Sequence, residues 1–123
     1  MLDPDKVWYH GSPLRLTILR TGSTMTQDRR LAEVFSHKPA IVLLDDDGTI
    51  RHNGVLPGFL YRIDEPVGQE DVYPHPRTSM APGKEWLTTR PLRLALIGAA
   101  EIVEAEILTP EDIEALRNRV RDG

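Results

Sequence analysis

Short apolar runs, cut at close intervals by proline and glycine, dominate this chain. Val7, Trp8 and Tyr9 predict a first strand over 6–10, ended by Gly11-Ser12-Pro13. Leu14, Leu16 and Ile18 alternate with Arg15 and Thr17, a strand pattern or an extended connection that leads to a turn at Thr21-Gly22. Leu31, Val34 and Phe35 stand at i, i+3 and i+4. They predict a helix over 27–37, with Thr26 as N-cap, Asp28 in the first turn and Pro39 as the stop. A strand over 40–44, a turn at Asp46-Asp47-Gly48 and a return strand over 49–52 make a hairpin. Another strand covers 58–64, and the polar stretch 65–84 reads as a long surface loop. Strands are expected over 85–89, 92–97 and 101–108. The last helix is the best marked. Thr109 is its cap, Pro110 takes the first helical position and Asp112 completes a capping box; it should run to about Arg119. Leu108 and Ile113 are placed for a hydrophobic staple, and Ile113, Leu116 and Val120 form the buried stripe. About six or seven short strands and two short helices predict an α+β domain with small antiparallel or mixed sheets.

Composition narrows the class. A chain of 123 residues is expected to form one domain, large enough to bury a core. The balance of 15 basic against 19 acidic residues argues against general electrostatic binding to nucleic acid. There is no cysteine, which excludes disulfides, thiolate metal sites and a cysteine nucleophile. No apolar run approaches the roughly 20 residues of a membrane span. The N-terminal MLDPDKVW lacks the apolar stretch of a signal peptide, so the expected location is the cytoplasm.

Phosphate-loop, dinucleotide-fingerprint, nucleophile-elbow and zinc-protease motifs are all missing. His10, His37, His52 and His75 have no metal-ligand spacing, and Asp45, Asp46 and Asp47 read as a solvated turn rather than a calcium loop. No metal is expected.

Three segments carry candidate chemistry. In Val7-Trp8-Tyr9-His10-Gly11-Ser12 a histidine at a strand end is followed by glycine, whose exposed backbone N–H and C=O can bond a planar amide. Gly22-Ser23-Thr24-Met25-Thr26 runs into the first helix. Glu85-Trp86-Leu87-Thr88-Thr89-Arg90-Pro91 sets a carboxylate at the start of a strand.

The Tyr-His-Gly-Ser segment resembles the first motif of the ADP-ribosyltransferase superfamily, on its diphtheria-toxin-like and poly(ADP-ribose)-polymerase-like side. The layout is also similar to that of the small rifamycin ADP-ribosyltransferases. Tyr9-His10-Gly11 lies near the N-terminus, a strand follows near Gly58-Phe59-Leu60-Tyr61-Arg62-Ile63-Asp64-Glu65-Pro66, and after an acidic-to-proline loop comes a strand ending in Pro91-Leu92-Arg93. The resemblance implies a compact fold of two packed sheets with NAD in the cleft between them. It implies that His10 bonds the adenosine ribose, that the Gly11 backbone holds the nicotinamide carboxamide, and that Ser12 lies by the nicotinamide ribose. Glu85 matches the carboxylate that bonds the ribose 2′-hydroxyl. The middle segment, where the family usually stacks a tyrosine on nicotinamide, has no aromatic residue here. Tyr9 and Trp86 are the rings that could substitute. Thr24 and Arg29, with Arg20 and Arg30, lie near this segment as ligand or diphosphate contacts, beside a helix N-terminus.

The implied activity is NAD-dependent transfer of a single ADP-ribose to an acceptor, with release of nicotinamide. The acceptor can be a protein, a small molecule or, less in keeping with the acidic charge, a nucleic acid. Breaking the nicotinamide–ribose bond develops an oxocarbenium-like cation that a carboxylate stabilises. Two alternatives stand beside this: an NAD glycohydrolase-type toxin with water as acceptor, and a catalytically inactive NAD- or ADP-ribose-binding module.

Overall fold

A computed structural model describes residues 7–44, 47–77, 80 and 83–122. Its elements run β1 (Tyr9–Ser12), β2 (Ile18–Leu19), β3 (Thr24–Met25), α1 (Arg29–Phe35), β4 (Val42–Leu44), β5 (Ile50–His52), β6 (Gly58–Ile63), β7 (Val72–Pro74), β8 (Trp86–Thr88), β9 (Leu92–Ala100) and α2 (Pro110–Asp122). Single 3-10 turns occupy Gln69–Asp71 and Glu104–Glu106. The chain is therefore α+β, as the pattern predicts. Its strands form three sheets, ordered β1-β6-β9-β2, β3-β8-β7 and β4-β5, where two were expected, and every strand pairing is antiparallel.

The first two sheets run into each other. Tyr9 and Thr26 exchange backbone hydrogen bonds at 2.7 and 3.0 Å, bridging β1 to the end of β3. The result is a curled half-barrel around Trp8, Leu19, Met25, Ile63, Val72 and Leu92. Trp86 meets the edge of Trp8 with ring centres 5.9 Å apart at 87°. Each such side chain taken from water stabilises the fold by roughly 1.5–3 kcal/mol. Tyr61 ties the β1–β2 connection down: its buried hydroxyl donates to Leu14 O at 2.8 Å and accepts from Leu16 N at 2.9 Å. Those bonds explain why the alternating segment 14–18 pairs only at its end.

Helix α1 is shorter than expected and starts later. Asp28 is the N-cap, its Oδ1 accepting from Leu31 N at 3.2 Å, while Thr26 instead accepts from Asp28 N at 3.0 Å. Leu31, Ala32 and Val34 are its buried face, packed on β1. The first strand likewise begins at Tyr9 rather than at residue 6, which lies outside the described residues, and continues through the Gly11-Ser12 where a break was expected. The expected turn at Asp46-Asp47-Gly48 also falls partly outside them, since Asp45 and Asp46 are not described. The strands on either side of it pair as predicted.

Two further expectations fail. The stretch 65–84 is not all loop, because β7 lies within it and pairs with β8. Charge orders this polar segment. Arg90 donates to Asp71 at 2.9 Å and to Glu65 at 2.6 Å, and Glu65 also accepts from Arg93 N at 2.7 Å. The guanidinium holds both carboxyls below their usual range. The second failure is 101–108. Strand β9 runs on to Ala100 along β6, with a bulge at Ile97 where the register shifts between Leu60 and Tyr61, and the following residues turn at Glu104–Glu106 and meet the body by a parallel bridge, His52 to Ile107.

Helix α2 begins at Pro110, where the capping signature places it. Thr109 Oγ1 accepts from Asp112 N at 3.1 Å, and in return Thr109 N donates to Asp112 Oδ2 at 3.0 Å. Asp112 also pairs with Arg51. Thr109→Ala is expected to cost about 1 kcal/mol of helix stability, read as lost helical ellipticity, and to leave binding at the β1 end unaltered.

Candidate functional site: a fork between strands β1 and β3

The antiparallel ladder that starts at Tyr9–Thr26 would next pair Gly11 with Thr24. It does not continue. The His10 ring takes the Thr24 carbonyl instead, with Nδ1 2.6 Å from the oxygen. A carbonyl only accepts, so Nδ1 carries the proton and Nε2 remains an acceptor. The imidazole thus acts as a wedge where the two sheets part.

Backbone alternation decides what the wedge leaves open. Trp8 O accepts from Ile63 N at 2.9 Å, so Trp8 and His10 direct their backbone groups toward β6. Tyr9 and Gly11 direct theirs to the opposite edge, where Tyr9 is paired to Thr26. Among the described residues nothing pairs the Gly11 N–H and C=O on that edge. One donor and one acceptor on a single residue match a primary carboxamide.

Glycine is demanded here by packing as well. A Cβ on Gly11 would overlap the Ala32 carbonyl oxygen and stand 2.8 Å from Ser36 N, so α1 lies directly on the bare face of β1. The helix fills the face and the edge stays free.

The remaining expected residues fall around the fork in different ways. Thr24 contributes its carbonyl rather than its hydroxyl. Glu85 lies one residue beyond the Met25–Trp86 pair, opposite Thr26, so it is two strand spacings, about 10 Å, from the backbone of Tyr9. Its carbonyl accepts from His75 N at 3.1 Å. Its neighbour Lys84 reaches Asp28 at the start of α1, with Nζ to Oδ2 at 3.4 Å. Ser12 is buried, and its Oγ accepts from Leu14 N at 3.1 Å. Arg29 is on the solvent side of α1, 3.4 Å from Glu33, and Arg30 pairs with Glu33 and Glu106. Neither arginine is thus an open diphosphate donor.

Lys38, which the sequence pattern did not single out, stands just after the α1 turn that packs on Gly11, and its charge acts on His10. No local signal marks it. Two described cavities lie elsewhere, one of about 190 Å³ beside Trp8 and Val67 and one of about 450 Å³ between Val55 and Ile113. Among the described residues no three histidine or acidic side chains converge to hold a metal ion, and no helix is long and apolar enough to cross a membrane.

Burial is the main reason His10 is less basic than an ordinary imidazole, with the Lys38 charge acting in the same direction and the Thr24 bond against it. His52 is likewise pushed down by burial first and by His37 second; the two rings stack 5.5 Å apart. His52 Nδ1 accepts from Gly54 N at 3.0 Å, which leaves the proton on an unpartnered Nε2. Both rings are less easily protonated folded than unfolded. Their contribution to stability is therefore complete above the ordinary value of 6.5 and is lost as pH falls through the lower folded values. Urea midpoints should drop between about pH 7 and 5. His10→Asn and His52→Asn should each flatten that slope, and an unchanged slope in both would exclude these two rings as its source.

The chain matches no family model, no curated protein and no solved structure.

Proposed function

We propose that this protein is an NAD-dependent mono-ADP-ribosyltransferase with an ADP-ribosyltransferase-like fold, which moves ADP-ribose to an acceptor and releases nicotinamide. The observation that carries this reading is the fork: His10 holds the Thr24 carbonyl while the Gly11 N–H and C=O face an open strand edge. A nicotinamide carboxamide satisfies both groups at once, its N–H₂ donating to Gly11 O and its oxygen accepting from Gly11 N. His10 Nε2, fixed as an acceptor, suits a ribose hydroxyl. Glu85, about two strand spacings from the backbone of Tyr9, is the carboxylate we assign to the nicotinamide ribose.

In the reaction the bond between ribose C1′ and the nicotinamide nitrogen breaks, and the pyridinium ring takes the bonding pair and departs neutral. Positive charge grows on the ribose, where the Glu85 carboxylate opposes it. The acceptor's nucleophile then bonds C1′ and loses its proton to solvent. No strong general acid is required.

The test is nicotinamide release from NAD by the purified chain, with and without candidate acceptors, beside calorimetry with NAD, ADP-ribose and nicotinamide. Binding and release that rises with an acceptor support transfer, and acceptor-independent release supports hydrolysis. No binding of any of the three ligands at millimolar concentration overturns the reading. A second reading, an inactive NAD- or ADP-ribose-binding module, is favoured by Ser23-Thr24-Met25-Thr26, which puts no ring opposite the nicotinamide. Binding without release would select it.

A further inference from the structure

The chain after β9 opens an apolar groove on the side of the molecule that carries the start of α2. Val55, Ile102, Ile107, Pro110 and Ile113 line it with Asn53, and it encloses about 450 Å³. Among the described residues its lining holds no charged side chain. Asn53 is its one polar side chain, and the Asn53 Oδ1 already accepts from Ala40 N and Ile41 N, both at 2.8 Å. The groove therefore suits apolar side chains better than a polar small molecule. Its rim is apolar as well. Val55 is 77% exposed, and Leu56, Val103 and Ile107 also stand in the open. Single exposed apolar residues are ordinary, whereas four around one groove mark a surface that a partner covers.

Charge identifies the partner. Glu101 and Glu104 flank Ile102-Val103, and Glu111 and Glu114 flank Ile113 in sequence. None of these four carboxylates has an ion-pair partner among the described residues, whereas Glu106 and Asp112 are paired with Arg30 and Arg51. The complement of an apolar groove with an acidic border is an amphipathic helix with a basic flank. Helix α2 is such a helix, since Arg117, Arg119 and Arg121 follow Ile113 and Leu116. It cannot fill its own groove. A rise of about 1.5 Å per residue carries its arginines away from the acidic residues at its start. Past Ile113 no hydrogen bond or ion pair among the described residues joins α2 to the sheets, and Leu116 is only half-buried. A second copy set in the opposite direction brings a basic half over each acidic half, and a two-fold axis repeats the contact.

We propose that this groove docks α2 of a second copy of the chain in a two-fold dimer. The apolar stripe that holds Ile113 and Leu116 enters the partner's groove beside Val55 and Ile107, and the basic half of each helix lies over the free carboxylates of the other copy. Burial of the apolar rim supplies most of the affinity, and the charges set the direction in which the helices meet. The fork between β1 and β3 takes no part in this contact, so the dimer stands or falls apart from the NAD reading.

The experiment is sedimentation velocity of the full chain from micromolar to near-millimolar concentration, with circular dichroism of every variant to check that α2 persists. Wild type is expected to pass from monomer to dimer over this range. Val55→Glu, which would bury an unpaired charge in the contact, should weaken the dimer about tenfold or more. Glu111→Lys with Glu114→Lys makes both halves of the helix basic, and Arg117→Glu with Arg119→Glu makes both acidic. Each pair of changes sets like charges against one another across the two-fold axis, so each should leave a monomer. Mixed in equal amounts, the two should associate, because acidic and basic halves again face each other. Added salt should weaken that mixed dimer, as it screens exposed charges. A wild type that remains monomeric at the highest concentration overturns the proposal. So does a dimer that Val55→Glu leaves unweakened, which would place the contact elsewhere. A mixture of the two charge variants that remains monomeric overturns the antiparallel pairing of the helices.

Discussion

Gly11→Ala is expected to destabilise the fold by about 3 kcal/mol, measured as a lower urea midpoint at constant slope. The added methyl group would occupy the space of the Ala32 carbonyl oxygen and crowd Ser36 N, both backbone atoms of the α1 region. A flexible side chain could rotate away from such a contact. A helix cannot, so α1 must lift from β1 and loosen Leu31, Ala32 and Val34, which it buries. The control is Gly98→Ala in β9, where a Cβ meets nothing within 4 Å and the change should stay within about 0.5 kcal/mol. Equal midpoints for wild type and Gly11→Ala would mean that α1 does not rest on this strand. The same variant would reach the proposed ligand site through the fold, so a loss of NAD binding in it would say nothing about the free Gly11 edge; the stability measurement stands by itself.

Glu85→Gln should slow nicotinamide release by about 10²–10³, the usual consequence of removing one electrostatic contact that matters in the transition state. Glutamine preserves shape and removes charge. In the proposed reaction the carboxylate opposes a cation that exists only as the glycosidic bond breaks, so NAD affinity should change by less than about tenfold. Single-turnover release and NAD calorimetry on the same preparations separate the two. Undiminished release in Glu85→Gln would remove this carboxylate from the mechanism. Glu65, at the other end of the 65–84 stretch, is not a neutral comparison, because its two oxygens hold Arg90 and Arg93 N. Glu114, exposed on α2, is the better one.

The sequence by itself determined the elements whose causes are local. Helix α2 starts where Thr109, Pro110 and Asp112 say it must, because a capping box is closed by residues three apart. The apolar face of α1 and the hairpin from β4 to β5 follow from side-chain period and turn chemistry in the same way. The Tyr-His-Gly-Ser segment was also legible as a candidate site, since a histidine and a glycine at a strand end announce themselves by type.

Tertiary structure decided whatever depends on partners distant in the chain. Strand β7 lies in a stretch too polar to predict, held by Arg90 across 19 and 25 residues to Asp71 and Glu65. Residues 101–108 have the apolar content of a strand, yet the sheets are completed without them. The fork exists because the His10 ring takes a carbonyl 14 residues away in place of the Gly11 N–H. Helix α1 fills the glycine's bare face. Propensity acts over a few residues, whereas a free strand edge, an unpaired charge and an occupied face are defined by what the rest of the chain brings alongside.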